Sequence, residues 1–189
     1  PLSVMTRSFS DIASSFKMIG KFPMVMKLLQ GAQGIGVMIG HDRSSVESVI
    51  STLLSFDKDL ILQQYVKESG GSDVRVLVVG GKVVATMRRT AKRGEFRANV
   101  HRGGAGERIS RLPKRYERLA LLSAKSVGLE IAGVDLLESS NGPLLLEVNS
   151  SPGFQELEKS TGINVAEMMI KMCSRKASNS RRKARRKKR

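Results

Sequence analysis

Hydrophobic and polar positions follow two periods along this chain. At helical spacing, Ile12, Phe16 and Ile19 recur between a small polar start and Gly20, predicting a short helix over 10–19 with Asp11 in its first turn. Val46, Val49, Ile50, Leu53 and Leu54 give a second buried stripe over 44–55, where Ser44 and Glu47 fit a capping box. Pro113 opens a third helix, carried to about 127 by Tyr116, Leu119, Ala120, Leu122, Ser123 and Val127. Ile163, Val165, Ala166, Met169, Ile170 and Cys173 carry a last one over 162–173. Apolar or alternating runs predict strands at 24–29, 37–39, 60–66, 73–79, 82–89, 130–138 and 143–148. Gly80-Gly81 and Asn141-Gly142 are tight-turn signals that join the last four as two hairpins. Strands paired by hairpins and flanked by separate helices predict an α+β fold, arranged as two lobes that meet near 60–66. There is no internal repeat.

Composition narrows the class. A chain of 189 residues, 40% hydrophobic and 26% charged, can bury one moderate core or two small ones. The single cysteine, Cys173, excludes an intramolecular disulfide framework, and with only 2 His a Cys/His zinc site is disfavoured. No apolar run approaches the length of a bilayer span, and the first residues lack the pattern of a secretion signal, so no membrane partner and a cytoplasmic location are expected. The net charge of +16 is concentrated at one place: residues 175–189 hold ten Lys and Arg and no acid, leaving a moderately basic body. Such a run is expected to be disordered alone and suited to a polyanion such as RNA; a solubilising end is the alternative.

Three groups of residues could carry chemistry. Lys27 lies inside an apolar strand and is followed by a loop with glycines at Gly31, Gly34 and Gly36, whose amides can turn toward an anion. The lysine precedes the glycines, so this is no Walker motif; a nucleotide phosphate site and a snorkelling edge-strand lysine beside a flexible hairpin both fit. Glu147 and Asn149 are two apart in one strand and so share a face, with Asp135 folded back beside them by the Asn141-Gly142 turn. Three oxygen ligands among apolar strands suit Mg²⁺; a solvated face with Arg or Lys partners is the alternative. Third, Arg88, Arg89, Arg97, Asn99, His101 and Arg102 form a basic stretch able to reach phosphate or carboxylate oxygens, or to face RNA, while Asp73 and Arg75 on a strand offer a further nucleotide contact and carboxylate clamp. Together a phosphate loop, a metal triad and an arginine loop describe phosphoryl transfer to a carboxylate.

Several segments carry a family resemblance in order along 20–172: Met26-Lys27-Leu28 and the loop 31–37, Gln63-Gln64-Tyr65-Val66, Asp73-Val74-Arg75, 96–104, Ala132-Gly133-Val134-Asp135, and Leu146-Glu147-Val148-Asn149-Ser150-Ser151-Pro152-Gly153. This set resembles the ATP-grasp ligases, and within them the RimK-type alpha-L-glutamate ligases that modify the C-terminus of a small-subunit ribosomal protein. The resemblance implies an ATP-grasp domain over 1–174, with a small nucleotide-clamping lobe at about 20–64, a larger metal-binding lobe at 65–174 and a basic tail at 175–189. Family members carry an N-terminal domain and a further ATP-contacting lysine ahead of this segment, so that domain is expected to be absent here.

The resemblance also implies residue roles. ATP would be held by Lys27, Gly31, Gln33, Gly34, Gly36, by backbone groups of Gln64 and Tyr65, and by Asp73, Arg97 and Asn99. Gln64 stands where the family usually has Glu. Arg75, Arg97 and Asn99 would act at the reacting phosphate or acyl phosphate, and Asp135, Glu147 and Asn149 would bind two Mg²⁺ or Mn²⁺ ions. The implied partners are L-glutamate and a ribosomal-protein C-terminus, with a ribosome or RNA contact through the tail and a homo-oligomer left open. A non-catalytic ribosome- or RNA-binding protein derived from such a ligase is the alternative function.

Overall fold

Met24 and Met26 alternate with Val25 and Lys27, and Leu60 and Leu62 alternate with Ile61 and Gln63, so each strand gives one face to a core. A computed structural model describes residues 1–30, 35–92, 95, 98 and 104–187, in two units, Pro1–Lys67 and Glu68–Arg189. The first contains β1 (Ser3–Thr6), α1 (Asp11–Ile19), β2 (Met24–Leu28), β3 (Val37–Gly40), α2 (Arg43–Ser55) and β4 (Leu60–Gln64). Its antiparallel sheet has the order β1-β4-β2-β3. Met24, Met26, Leu60 and Leu62 bury one face against Ile12, Phe16 and Ile19 of α1 and Val46, Ile50 and Leu54 of α2. Lys27, between Val37 and Ile61 in register, belongs to the other face.

The start of α2 differs from the expected capping box. Asp42, one residue before the helix, accepts from the Ser45 N–H at 2.9 Å, so Asp42 and not Ser44 is the cap. The Ser45 backbone and hydroxyl bonds hold the Asp42 carboxyl below its ordinary 3.8. A depressed carboxyl stabilises the fold above its unfolded pKa, and that stabilisation is lost as pH falls through the folded value. Asp42→Ala is therefore expected to lower the melting midpoint of the first unit by roughly 4–8 °C at neutral pH, with the gap closing under acid conditions. Asp42→Asn should preserve the midpoint at neutral pH. Calorimetric melts at neutral and acid pH check both.

The second unit contains β5 (Ser72–Val79), β6 (Lys82–Thr90), β7 (Ala105–Arg108), α3 (Lys114–Ser126), β8 (Ile131–Ser139), β9 (Gly142–Asn149), α4 (Gln155–Thr161) and α5 (Val165–Lys187). The antiparallel sheet order is β7-β6-β5-β8-β9. Gly80 and Gly81 both have positive φ, as a two-residue hairpin between twisted strands requires. Val74, Val76, Val78, Val134 and Leu136 pack on Tyr116, Ala120 and Ala124 of α3. On the opposite face Leu77, Val79 and Met87 pack on Leu157 of α4 and Val165 of α5.

Several elements go beyond the periodic reading. β1 and β7 are four residues each and owe their strand character to pairing with β4 and β6, not to an apolar run. The short α4 contributes only Leu157 and Thr161 to the interior. Its Glu158 carboxylate accepts from the N–H groups of Val165 and Ala166 at 2.7 and 3.1 Å, satisfying the start of α5. The largest correction concerns the tail. The last helix does not stop at 173 with a disordered run from 175; α5 continues to Lys187. No Gly or Pro interrupts 165–187, and Ala, Lys and Arg there are strong helix formers.

Candidate active site

Two β-bulges build the site. Counted back from the Gly80-Gly81 turn, Asp73 would pair with Arg88, but the register shifts between Leu77 and Val78 and pairs Asp73 with Arg89. Counted from the β8–β9 turn, Asp135 would pair with Leu146, but the shift between Asp135 and Leu136 pairs it with Glu147. A one-residue slip moves side chains to the other face, so these bulges bring the polar groups together. The result is a strip across four neighbouring strands: Arg89 on β6, Asp73 and Arg75 on β5, Asp135 on β8, Glu147 and Asn149 on β9. Close packing helps to hold the β9 end. A Cβ on Gly133 would lie 2.7 Å from Pro152, so only glycine lets the chain after β9 fold against β8.

Asp135 is 1% exposed and is the hub. Its Oδ1 accepts from Arg75 Nε at 2.7 Å, and its Oδ2 accepts from Arg75 Nη2 at 2.6 Å and Arg89 Nη2 at 2.8 Å. Arg89 also donates to both Asp73 oxygens, at 2.6 and 2.7 Å. Burial pushes the Asp135 carboxyl up, but the Arg75 bond and the charges of Arg89 and Arg75 outweigh it and hold the group below its ordinary value. Burial dominates at Asp73 and raises its carboxyl despite Arg89. Burial also works against the Arg89 charge, yet Asp135 and Asp73 together hold that guanidinium above its ordinary value.

Glu147 is the unbalanced member. Burial, followed by the neighbouring Asp135 charge, raises its carboxyl. Two guanidinium groups oppose three carboxyl groups in the strip, and the excess negative charge falls where Glu147 meets Asp135. Asn149 donates its amide to Glu147 Oε1 at 3.0 Å and to the Gly133 carbonyl at 3.5 Å, leaving Oδ1 as its acceptor.

A divalent cation fits this donor set. Three hydrogen bonds occupy the Asp135 oxygens, whose roughly four lone-pair sites leave room for one further partner on Oδ1. Glu147 and the Asn149 carbonyl complete a hard oxygen set, and a cation would offset the Asp135 charge that adds to burial in raising Glu147. Among the described residues no cluster of three or more His, Cys, Asp or Glu forms a fuller cage. Two carboxylates and an amide suit a cation that takes its other ligands from phosphate and water.

Residues 1–173 match the RimK-like ATP-grasp domain family. The chain belongs to that family. It is 45% identical over 170 residues to a probable alpha-L-glutamate ligase 1 of Shewanella oneidensis, covering 90% of this chain and 56% of the relative. It is 46% identical over 170 residues to a probable alpha-L-glutamate ligase of Marinobacter nauticus, with the same two coverages. The chain therefore spans little more than half the length of these curated relatives. Among solved structures, it aligns with the ATP-grasp ligase PsnB complexed with a phosphomimetic variant of a minimal precursor, Mg and ADP. That match has a TM-score of 0.69 and 19% identity, covering 91% of this chain and 52% of PsnB. A D-alanine–D-alanine ligase from Bacillus anthracis complexed with ATP aligns with TM-score 0.70 and 21% identity, covering 95% of this chain and 62% of that one. Both likenesses are of fold.

The RimK-like sequence motifs map onto the two units unevenly. Asp73, Arg75, Asp135, Glu147 and Asn149 form the strip just described. Their ion pairing is partly that of the alternative reading, an acidic pair with arginine partners: Asp73, Arg89 and Asp135 are buried, while Glu147 at the β9 end is exposed to solvent. Asp73 gives both oxygens to Arg89, and Arg75 commits Nε and Nη2 to Asp135, so both first serve to position their partners. In the first unit, Lys27 lies on the sheet face away from α1 and α2. Gly36 has φ of 79° and gives its carbonyl to the Leu28 N–H at 3.0 Å, tying the end of the loop to β2. The Gln64 N–H donates to the Leu2 carbonyl at 2.8 Å and is thus committed to the sheet, while its side chain is exposed. Gly31, Gln33, Gly34, Arg97, Asn99, His101 and Arg102 lie outside the described residues.

The sequence places Arg89 in a basic stretch, yet it is the buried link between two aspartates. Adjacent arginines at 88 and 89 in one strand were the signal, since alternation sends them to opposite faces. Arg88 indeed lies on the α3 side, donating to both Glu138 oxygens at 2.7 and 2.8 Å. There it lines a cavity of about 290 Å³ with Val74, Arg108, Ile109 and Tyr116, across the sheet from the acidic strip.

Proposed function

We propose that this chain is the ATP-dependent ligation domain of a RimK-type enzyme that joins L-glutamate to the C-terminal carboxylate of a peptide or protein, with a small-subunit ribosomal protein as acceptor. The observation that carries the reading is the Asp135–Glu147 carboxylate pair, set in register by a bulge and backed by two arginines. Asp135, Glu147 and Asn149 would hold a divalent cation, Mg²⁺ or Mn²⁺ and two ions in the fullest form, which would supply charge neutralisation to the phosphate oxygens of ATP.

The chemistry asked of the protein is alignment and charge stabilisation. An oxygen of the acceptor carboxylate attacks the γ-phosphorus and ADP departs, giving an acyl phosphate. The glutamate amine then attacks the acyl carbon and loses a proton. The C–O bond breaks, and phosphate leaves carrying the acceptor's oxygen. Asp135 fixes Arg75 and Arg89 at the edge of this reaction through its three hydrogen bonds. Lys27 and the glycine loop contribute to phosphate binding, Gln64 and Tyr65 to the base, and Arg97 and Asn99 to the acyl phosphate. The relatives' names and the ligase fold support this reading.

Intact-mass spectrometry tests it. The chain is incubated with Mg²⁺, ATP, glutamate and peptides ending in ribosomal-protein C-termini. The expected result is acceptor mass rising by whole glutamyl increments, with one ADP formed per increment. ADP formation without any acceptor gain, or gain independent of ATP, would contradict the proposal.

A further inference from the structure

The run of α5 beyond the core is the part of the molecule that ligation leaves unused. The helix is rooted by Val165, which is buried, and by Met169 and Met172, which pack against the β5–β6 core. Lys176 adds an ion pair to Glu130. Over 173–179 every side chain is exposed, and the helix continues to Lys187. At 1.5 Å per residue it extends about 16 Å past Lys176.

Eight of the positions from Arg175 to Lys187 are Lys or Arg, and after Cys173 the sequence has no acid and no apolar residue larger than alanine. Positions 181 and 185, 182 and 186, and 183 and 187 are each one turn apart, so the basic residues occupy three neighbouring rows of the helix. Positions 180 and 184, Ser and Ala, fall on the fourth row. Like charges at this spacing oppose helix formation, and a polyanion removes the penalty.

We propose that this part of α5 is a docking helix for the phosphodiester backbone of structured RNA. A bilayer surface is disfavoured because the run has no apolar face to insert. A dense phosphate array matches charge carried on three rows, and arginine, six of the ten basic residues in 175–189, pairs with phosphate through a planar fork. The charge pattern stands apart from the ligase chemistry. Only the choice of RNA over DNA rests on the proposed acceptor class, since a ribosomal protein lies beside RNA.

The test measures binding of the whole chain to a labelled RNA hairpin, without ATP or glutamate, so that it reads nothing of ligation. Affinity should fall by about 10³–10⁵ between about 50 and 200 mM salt, the signature of 6–10 neutralised phosphates. A variant with Arg181→Gln, Arg182→Gln, Lys183→Gln, Arg185→Gln, Arg186→Gln and Lys187→Gln should lose at least about 10²-fold in affinity and show a salt slope shallower by about 4–5. Circular dichroism checks that the variant is folded; should it not be, competition on the unaltered chain decides. A DNA duplex of matching sequence, poly-L-glutamate or anionic vesicles competing better than unlabelled RNA would overturn the assignment, as would a variant with unchanged affinity and slope.

Discussion

Asp135→Ala is expected to destabilise the second unit by about 3–5 kcal/mol, because it leaves Arg75 and Arg89 as buried charges with one aspartate between them. The side chain removed is small and polar, so little of this loss comes from hydrophobic packing. It comes from stranding guanidinium groups that are 14% and 6% exposed. Native-state amide exchange at β5 and β8 reads the effect directly, since these strands carry the hub and its partner. The linkage sign follows from the depressed Asp135 carboxyl: its contribution is complete above the ordinary 3.8 and fades as pH falls through the lower folded value. The difference between the two proteins should therefore be constant from neutral pH down to that range and shrink below it. A loss under about 1 kcal/mol at neutral pH would mean that water or another group already neutralises the arginines.

Glu147→Gln should have the opposite profile. The glutamate carries the unbalanced charge beside Asp135, so removing it relieves repulsion, and stability is expected to hold or rise. What it removes is a proposed ligand for the cation. Changes in outer-shell partners of bound metals typically cost 10–100-fold, so loss of a direct ligand should lower Mg²⁺-dependent nucleotide affinity or turnover by about 10²-fold or more. Titration calorimetry with ATP in the presence and absence of Mg²⁺ separates the metal contribution. If Mg²⁺-dependent affinity and turnover both stay unchanged, the strip is an ion-pair network with no cation role.

The contrast between these two variants also shows what sequence could reveal. Strand alternation is enough to place Glu147 with Asn149, and the Gly80-Gly81 and Asn141-Gly142 signals are enough to pair β5 with β6 and β8 with β9. The ordered motifs then carry the family. Register is another matter. A straight count from either turn pairs Asp73 with Arg88 and Asp135 with Leu146, and the bulges that correct both counts skip a Val or a Leu in apolar runs with no glycine or proline to mark them. The central part of Arg89 was hidden for that reason. Short elements were hidden for a different one: β1, β7 and α4 are made by partners distant in sequence, and four to seven residues carry too little periodicity of their own. In the tail, charge density argued for disorder while helix propensity and an anchored first half argued for helix, and the second prevailed.

The central claim is that this site activates a carboxylate by phosphoryl transfer and passes it to an amine. An acceptor peptide labelled with ¹⁸O in its C-terminal carboxylate tests that claim most directly, with ³¹P NMR of the phosphate released as glutamate is joined in the presence of Mg²⁺ and ATP. Direct attack of the carboxylate on the γ-phosphorus predicts that each bond formed places one labelled oxygen in inorganic phosphate. Ligated peptide formed with unlabelled phosphate, the displaced labelled oxygen being found in AMP or water, would contradict it.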